Sequence, residues 1–290
     1  MTRPLADLIR LACQAEVLAR KPGNVHPDAS FDDLTAADFL VAAEVVAPVL
    51  SRSAELGIGR AVDEAIRATR ERIATNANLG ICLLMAPIAA AIARGGDLRS
   101  RLAEVLNGLS IDDATWAYRA IRRAAPGGLG ESSEQDVADE PTVTLMEAMS
   151  LAAGRDGVAR QYATGFSDVF EIGVPSIAEF MGHGPETAIV AAHLHLMAVR
   201  PDTLIERKCG PDTARHSAEL AADVLRHGWP AGGADKLEAL DRWLRADGHR
   251  RNPGTTADLV AATILTALLQ SVLNVETTQR WCNQVAGGKH

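Results

Sequence analysis

Residues 247–260 form a polar, basic segment whose residue types could bind phosphate. Gly248 and Pro253 argue against a continuous helix there, so we expect a loop followed by an apolar helix. Arg250 and Arg251 lie in this loop and carry the forked guanidinium donors that suit phosphate oxygens. The simpler interpretation is an ordinary loop with solvated arginines, and this segment alone does not decide between the two.

The start of the next helix adds a second attraction for anions. Thr255 is a suitable N-cap, and Asp258 stands three residues later, as in a capping box with Asp in place of Glu. The unpaired N–H groups of a helix start attract negative charge. The segment therefore predicts either a phosphate-binding corner or a simple cap.

Four further polar breaks separate apolar helical patterns along the chain. Each combines turn residues with charged, hydroxyl or amide side chains, and in a helical protein such breaks are natural places for a site. Five breaks of similar chemistry predict one shared pocket. They are residues 21–25, 75–80, 127–131, 202–210 and 251–258.

Two of these breaks allow a simpler interpretation. Asn76 and Asn78 flank a predicted helix start, where they could cap the helix or bind a ligand. The acidic residues near the glycine-rich break could form a solvated loop or supply one or two Mg²⁺ ligands. They are Glu131, Glu134, Asp136, Asp139 and Glu140.

Composition excludes several classes of protein. The formal net charge is −8 and aromatic residues make up 4%, which disfavours nucleic-acid binding because that needs basic patches and stacking surfaces. The four cysteines are far apart without a Cys-x-x-Cys pair, so we expect reduced thiols and a cytoplasmic protein. The longest apolar run, residues 79–93, contains a proline and is too short to span a membrane. It predicts a buried core helix.

The hydrophobic pattern predicts an all-α fold, a single domain over residues 1–290 with roughly ten to thirteen helices. Ser110 and Asp113 predict a capping box at one helix start. Glu16 precedes Arg20 by one turn, which indicates a surface ion pair. His193 and His195 lie two apart and point to different faces, so we expect each to be a satisfied helix histidine and not a metal ligand.

Taken in order, the five breaks resemble motifs of the triphosphoribosyl-dephospho-CoA synthase family over residues 16–259. Glu16 followed by Lys-Pro-Gly-Asn-Val at 21–25 resembles Glu…Lys-Pro-Gly-Leu-Val-Asp, and residues 252–259 are similar to Ser-Pro-Gly-Gly-Ser-Ala-Asp-Leu. These two matches are the most specific. Residues 76–80, 128–131 and 202–210 resemble Asn-Thr-His-Lys-Gly, Ala-Arg-Gly-Glu and Asp-Thr…Arg-Gly-Gly.

The resemblance implies an all-helical transferase that uses ATP and 3′-dephospho-CoA. The ribose 2′-hydroxyl of dephospho-CoA would attack C1′ of ATP, and adenine would leave. Such chemistry needs phosphate-binding cations, Mg²⁺ held by carboxylates, and an acid or base. The expected partners are small-molecule nucleotides, with neither nucleic acid nor membrane, and a homodimer is left open.

The resemblance also implies roles for individual residues. The expected catalytic residues are Glu16, Glu131 and Asp202. The expected nucleotide-binding residues are Lys21, Asn24, Asn76, Asn78, Arg207, Lys208, Arg251, Asn252 and Thr255. The expected metal ligands are Glu131, Asp202 and Asp258.

Three departures from the family motifs keep alternatives open. Asn78-Leu79 replaces His-Lys, Lys208-Cys209-Gly210 replaces Arg-Gly-Gly, and His26 replaces Asp. One alternative keeps the fold and phosphate chemistry but changes the acceptor, for instance to an intermediate of the tetrahydromethanopterin pathway. Another is a nucleotide-binding protein without turnover.

Overall fold

The computed structural model describes residues 3–75, 77–125 and 134–287, and within these ranges the protein is all-α, as predicted. Sixteen α-helices occur in the described residues, which exceeds the predicted ten to thirteen. Short helices such as Ser53–Leu56 and Thr203–Cys209 explain the difference, because one or two turns show too little periodicity to be recognised. Asn76 and Glu131 lie outside the described residues.

The chain divides into two compact units. The first unit comprises residues 1–13 and 38–167, and the second comprises residues 14–37 and 168–290. The boundary near the N-terminus falls inside the first helix, so its last residues, from Gln14 to Leu18, belong to the second unit. Residues that are far apart in sequence therefore share the second unit.

The first unit is built around one apolar helix, Leu79–Ala93, whose side chains are almost all buried, so the predicted core helix is confirmed. Two other helices of this unit, Ile58–Arg70 and Ile111–Ala124, pack closely because Gly59 has no side chain. A Cβ at Gly59 would lie 2.1 Å from the carbonyl oxygen of Asp113. The helices of this unit are α1 (Leu5–Leu18), α2 (Ala36–Leu50), α3 (Ser53–Leu56), α4 (Ile58–Arg70), α5 (Leu79–Ala93), α6 (Leu98–Asn107), α7 (Ile111–Ala124), α8 (Leu145–Ala152) and α9 (Gly157–Ala163).

The second unit surrounds another apolar helix, Gly254–Leu269, and four of its other helices pack together through a cluster of buried aliphatic side chains. That hydrophobic cluster includes Leu194, Ile205, Val224 and Leu244. The helices are α10 (Val174–Phe180), α11 (Pro185–Val199), α12 (Thr203–Cys209), α13 (Pro211–Arg226), α14 (Ala234–Arg245), α15 (Gly254–Leu269) and α16 (Val275–Gly287), with a π-helix at Val169–Gly173 and a 3₁₀ turn at Met181–His183.

Helix starts show both local and long-range capping. The capping box of Ser110 and Asp113 at α7 is confirmed, with both reciprocal hydrogen bonds formed. The prediction that Thr255 caps α15 is wrong, and so is the capping box with Asp258. The helix begins at Gly254, Pro253 occupies the N-cap position, and no side chain of the cap residue accepts a hydrogen bond. A carboxylate from another helix caps α15 instead, as shown below.

Among the described residues, no single helix has both the length and the apolar character needed to cross a bilayer. The bent pair α5 and α6 meets those criteria jointly, with an angle of 114° between them. Most of α5 is buried inside the first unit, which also fits a core helix.

Candidate functional site

Glu16 and Lys21 form a buried ion pair at the end of α1. Glu16 is 4% exposed and Lys21 is 0% exposed, and the Lys21 Nζ lies 3.0 Å from Glu16 Oε1. The same ammonium donates to the main-chain carbonyls of Glu16 and Ala19, at the C-terminal end of α1. Three protein oxygens therefore surround the Lys21 ammonium, and a direct phosphate contact would require it to leave them. Its role as a phosphate ligand stays a prediction.

Within the part of the chain that the structure describes, Glu16 keeps one carboxylate oxygen without a protein donor. Lys21 contacts Oε1, and no described group donates a hydrogen bond to Oε2. The predicted surface pair with Arg20 is wrong, because Arg20 pairs with Asp28 at 2.9 Å and with Glu186 at 3.1 Å. Glu16 is thus an oriented carboxylate held by a buried cation.

His193 of α11 lies near this ion pair. Its imidazole is fully buried, and burial first and the Lys21 charge second lower the pKa of His193 to about 3, opposed by the nearby Pro22 carbonyl. Neither ring nitrogen of His193 forms a hydrogen bond with a described residue. The Pro22 carbonyl oxygen therefore attracts the ring only electrostatically. The prediction of a satisfied histidine is wrong for His193. It is confirmed for His195, whose Nδ1 lies 2.9 Å from the Ala191 carbonyl oxygen.

The loop that follows Lys21 is fixed onto α14. The Gly23 N–H donates to Asp241 Oδ1 at 2.7 Å, and Arg245 donates to the Asn24 carbonyl at 2.7 Å. Arg245 also bonds both oxygens of Asp241 through its Nε, at 2.8 and 2.9 Å. Gly23 has φ +75, and a Cβ there would lie 2.8 Å from a methyl carbon of Leu244, so only glycine fits. Two hydrogen bonds and one close contact therefore hold the loop against α14.

Asn24 and Asn252 join two of the predicted breaks. Asn24 Nδ2 donates to Asn252 Oδ1 at 2.7 Å and lies 3.4 Å from the carbonyl oxygen of Pro253. Asn24 is 5% exposed, and its Oδ1 accepts no hydrogen bond from any described residue. The two amides, both predicted to bind nucleotide, therefore lie together beside the start of α15.

Asp202 connects the starts of α12 and α15. Its Oδ1 accepts from the N–H groups of Leu204 and Ile205, at 2.8 and 3.0 Å, and so caps α12. Its Oδ2 accepts from the N–H and hydroxyl of Thr256, at 2.7 and 2.8 Å. Burial raises the pKa of Asp202, and the same four hydrogen bonds oppose that rise. Both oxygens are engaged, so its catalytic and metal-binding roles stay predictions that would require it to release helix ends.

Two arginines of the loop before α15 turn toward protein groups. Arg251 donates to the Trp243 carbonyl at 3.0 Å and places its guanidinium 4.4 Å from the centre of that indole ring. Arg250 donates to the carbonyl of Lys208 at 2.8 Å. Arg207 and Lys208 lie half-buried on α12. Phosphate binding by these cations stays a prediction.

Thr255 is buried in the first turn of α15, where its hydroxyl accepts from Thr203 at 3.1 Å. Asp258 is half-buried one turn further on. With the amide pair and Asp202, these contacts unite three of the five predicted breaks, residues 21–25, 202–210 and 251–258, in the second unit.

A fourth break belongs to the first unit. Asn78 occupies the N-cap position of α5, but its side chain does not cap the helix. Its Nδ2 instead donates to the Thr69 hydroxyl at 3.1 Å, and its Oδ1 is buried without a partner among the described residues. The capping interpretation is therefore wrong for the Asn78 side chain. Asn76 and Glu131, the other candidates from this part of the sequence, lie outside the described residues.

The described residues do not fit a metal centre. Among residues 3–75, 77–125 and 134–287, no group of three or more His, Cys, Asp or Glu side chains could hold a metal ion. Asp202 gives both oxygens to protein donors. We therefore assign no chemical step to Mg²⁺.

Sequence reasoning missed four residues of this site. His193 lies in an apolar helical run, where its burial beside Lys21 has no sequence signal. Asp241 and Arg245 are spaced like any exposed helical ion pair, and only the fold shows that they hold the 21–25 loop. Thr256 resembles an ordinary first-turn residue.

The fold and these contacts define an all-helical protein with a polar site where helix ends and loops meet. A family profile described as ATP:dephospho-CoA triphosphoribosyl transferase matches residues 2–277. The chain therefore belongs to the ATP:dephospho-CoA triphosphoribosyl transferase family, as the motifs predicted, and members of this family are transferases.

A solved structure supports the same assignment. The chain is similar to the crystal structure of a candidate triphosphoribosyl-dephospho-CoA synthase from Archaeoglobus fulgidus, with 26% sequence identity and a TM-score of 0.65. The match covers 81% of this chain and 100% of the other. A comparison with curated proteins gives no significant match.

Proposed function

We propose that this protein transfers the 5-triphosphoribosyl group of ATP to the 2′-hydroxyl of 3′-dephospho-CoA and releases adenine. The family match over residues 2–277 carries the proposal. In this reaction the O–H bond of the acceptor ribose breaks, an O–C1′ bond forms, and the C1′–N9 bond of ATP breaks. The electron pair of that last bond leaves with adenine, which takes up a proton.

Glu16 is the residue that we propose as the general base. Its carboxylate is oriented through Oε1 by Lys21, and no described group donates to Oε2. A carboxylate so held can accept the proton of the attacking hydroxyl and stabilise positive charge at the ribosyl carbon. Lys21 then orients the base, and Asp202 holds the starts of α12 and α15 together.

Adenine release tests the proposal directly. The protein is incubated with ATP and dephospho-CoA, with and without MgCl₂, and adenine is measured by chromatography while the product is identified by mass. Glu16→Gln keeps an oxygen for Lys21 but removes the base, so we expect kcat to fall by roughly 10²- to 10⁴-fold. Glu238→Gln, which changes an exposed carboxylate of the same unit, is the matched control and should leave the rate unchanged.

Three outcomes would redirect the proposal. Adenine release that requires another acceptor would favour the alternative with changed acceptor specificity. The replacement of the family's His-Lys by Asn78-Leu79 points to that alternative, because two titratable side chains are replaced by two buried side chains that do not titrate. ATP binding without adenine release would favour a nucleotide-binding protein without turnover. Full activity in Glu16→Gln would exclude Glu16 as the base.

Magnesium remains part of the proposal only as a companion of the substrate. A triphosphate supplies oxygen ligands of its own, and Mg²⁺ commonly binds through phosphates, water and one or two carboxylates. We name no ligand for it in the described residues, and the MgCl₂-free arm of the assay decides whether it is needed.

A further inference from the structure

The orientation of the Asn24 amide is fixed by its surroundings. Its Nδ2 lies 3.4 Å from the main-chain carbonyl of Pro253 as well as 2.7 Å from Asn252 Oδ1. A main-chain carbonyl can only accept hydrogen bonds, so the amide nitrogen must face it. The Asn24 Oδ1 consequently points away from both partners.

This arrangement leaves two complementary groups open. Asn24 Oδ1 is a buried acceptor that receives no hydrogen bond from a described residue. Asn252 Nδ2 is a donor, and no described residue accepts from it. Asn252 is only half-buried, so solvent reaches this member of the pair. Because a buried acceptor without a donor costs free energy, the site is suited to a ligand that supplies one.

The chemistry of the open acceptor selects the part of a nucleotide that can fill it. The oxygens of an ionised phosphate only accept hydrogen bonds, so they would repel Asn24 Oδ1. The adenosine portion carries the required donors, namely the ribose hydroxyls and the 6-amino group of the base. The amide pair therefore suits a nucleoside and not the triphosphate.

The pair is also held ready for such a contact. Arg245 binds the carbonyl of Asn24, and Asp241 binds the N–H of Gly23, so the loop has little freedom. A rigid site loses less entropy when a ligand binds, which makes a hydrogen bond to it more selective.

We propose that the hydrogen-bonded pair of Asn24 and Asn252 recognises the adenosine portion of a bound nucleotide, with Asn24 Oδ1 accepting from a ribose hydroxyl or the 6-amino group. The inference deepens the proposed function and rests on it for the nature of the ligand. Its source can be ATP or dephospho-CoA, since both contain adenosine.

Binding by titration calorimetry tests the inference without turnover. The full chain is titrated with ATP, 2′-deoxy-ATP, 3′-deoxy-ATP and purine riboside triphosphate, which lacks the 6-amino group. Dephospho-CoA and its analogues with the same deletions form a second series. For the unchanged protein we expect one deletion to weaken binding by roughly tenfold or more, since a buried acceptor loses its donor.

Two variants examine the two open groups. Asn24→Leu removes the open acceptor. The affinity of this variant for the parent nucleotide should equal its affinity for the weakened analogue, so the preference for the parent nucleotide disappears. Asn252→Asp keeps an oxygen for Asn24 Nδ2 and replaces the open donor by an oxygen, so we expect the preference to shrink. Arg245→Lys loosens the loop but keeps both amides, and it should weaken all analogues by the same factor.

The results separate this inference from the proposed function. If the unchanged protein binds every analogue as tightly as its parent, or if Asn24→Leu keeps the preference while remaining folded by circular dichroism, the amide pair does not recognise adenosine. A lost preference in Asn24→Leu upholds the inference even if no adenine is released with dephospho-CoA. Adenine release with no effect of either asparagine variant upholds the proposed function alone.

Discussion

At the scale of single residues, the buried charge of the Lys21 ammonium has a direct consequence for stability. It is fully buried with three oxygen partners, of which the Glu16 carboxylate carries the balancing charge. Removing one member of a buried ion pair leaves the other uncompensated, which typically costs about 3–5 kcal/mol of unfolding free energy. We therefore expect Lys21→Met to destabilise the protein by that amount in urea unfolding.

The double variant separates charge pairing from packing. When both charges are removed, as in Glu16→Gln combined with Lys21→Met, no buried charge remains unpaired, so the loss should be smaller than the sum of the two single losses. Additive losses would mean that the two side chains act independently. Pairing is then not what holds Lys21 in the interior.

The sequence predicted several residues of the candidate site, but it did not predict which residues they contact. The spacing of Glu16 and Arg20 indicates a helical pair, yet Glu16 binds Lys21, because the chain turns back after α1 and brings the lysine under the helix end. No local pattern contains that reversal. Asn24 and Asn252 were predicted for the site from motifs, but their mutual hydrogen bond joins positions 228 residues apart and follows only from the fold.

At the scale of elements, one carboxylate joins two helices. Asp202 caps α12 and also binds the first turn of α15 through Thr256. Asp202→Ala would leave buried N–H groups at both helix starts without an acceptor, so we expect a loss of about 3 kcal/mol or more in unfolding free energy. Asp202→Asn should lose less, since its remaining oxygen can still cap one helix.

A matched single cap provides the comparison for Asp202. Asp97 caps only α6, at an exposed helix start, through a 2.8 Å bond from the Ser100 N–H. Asp97→Ala should therefore destabilise the protein clearly less than Asp202→Ala. Equal losses, measured by the same unfolding experiment, would contradict the proposed bridging role of Asp202.

The same comparison explains which helix starts the sequence predicts. At α7, Ser110 and Asp113 cap each other within four residues, so the pattern is visible locally and the prediction was correct. At α15, Thr255 is of a type that caps helices, but it lies inside the first turn, and the acceptor comes from Asp202, 54 residues away from Thr256. A long-range carboxylate satisfies that helix start, so the local signal was misleading.

At the scale of the whole molecule, helical periodicity sufficed for the fold class but not for the gathering of the site. The amphipathic α4 shows its helical period in the sequence and α5 stands out as a long apolar run, whereas the 7-residue α12 shows neither. The second unit includes residues 14–37, which comprise the end of α1 and the loop after it, together with the helices from residue 168 onward. Periodicity carries no information about that grouping, so only family motifs could suggest it.

The pH dependence of stability is the last consequence of this arrangement. His193 has a folded pKa of about 3 against an ordinary value of 6.5, because its burial and the Lys21 charge disfavour the protonated ring. The unfolded chain then binds more protons than the folded chain between those values. The contribution of His193 is therefore complete above pH 6.5 and is lost as the pH falls toward 3.

Urea unfolding at pH 7.5 and pH 5 measures this term. His193 should account for up to about 2 kcal/mol of the stability lost between the two, since each pKa unit corresponds to about 1.36 kcal/mol. His193→Gln cannot gain a proton, so its stability should fall less over the same interval, even if it is lower at both values. Hydrogen exchange should show the acid-dependent loosening in peptides from residues 185–199 and 14–25. An unchanged difference in His193→Gln would mean that His193 is not held neutral beside Lys21.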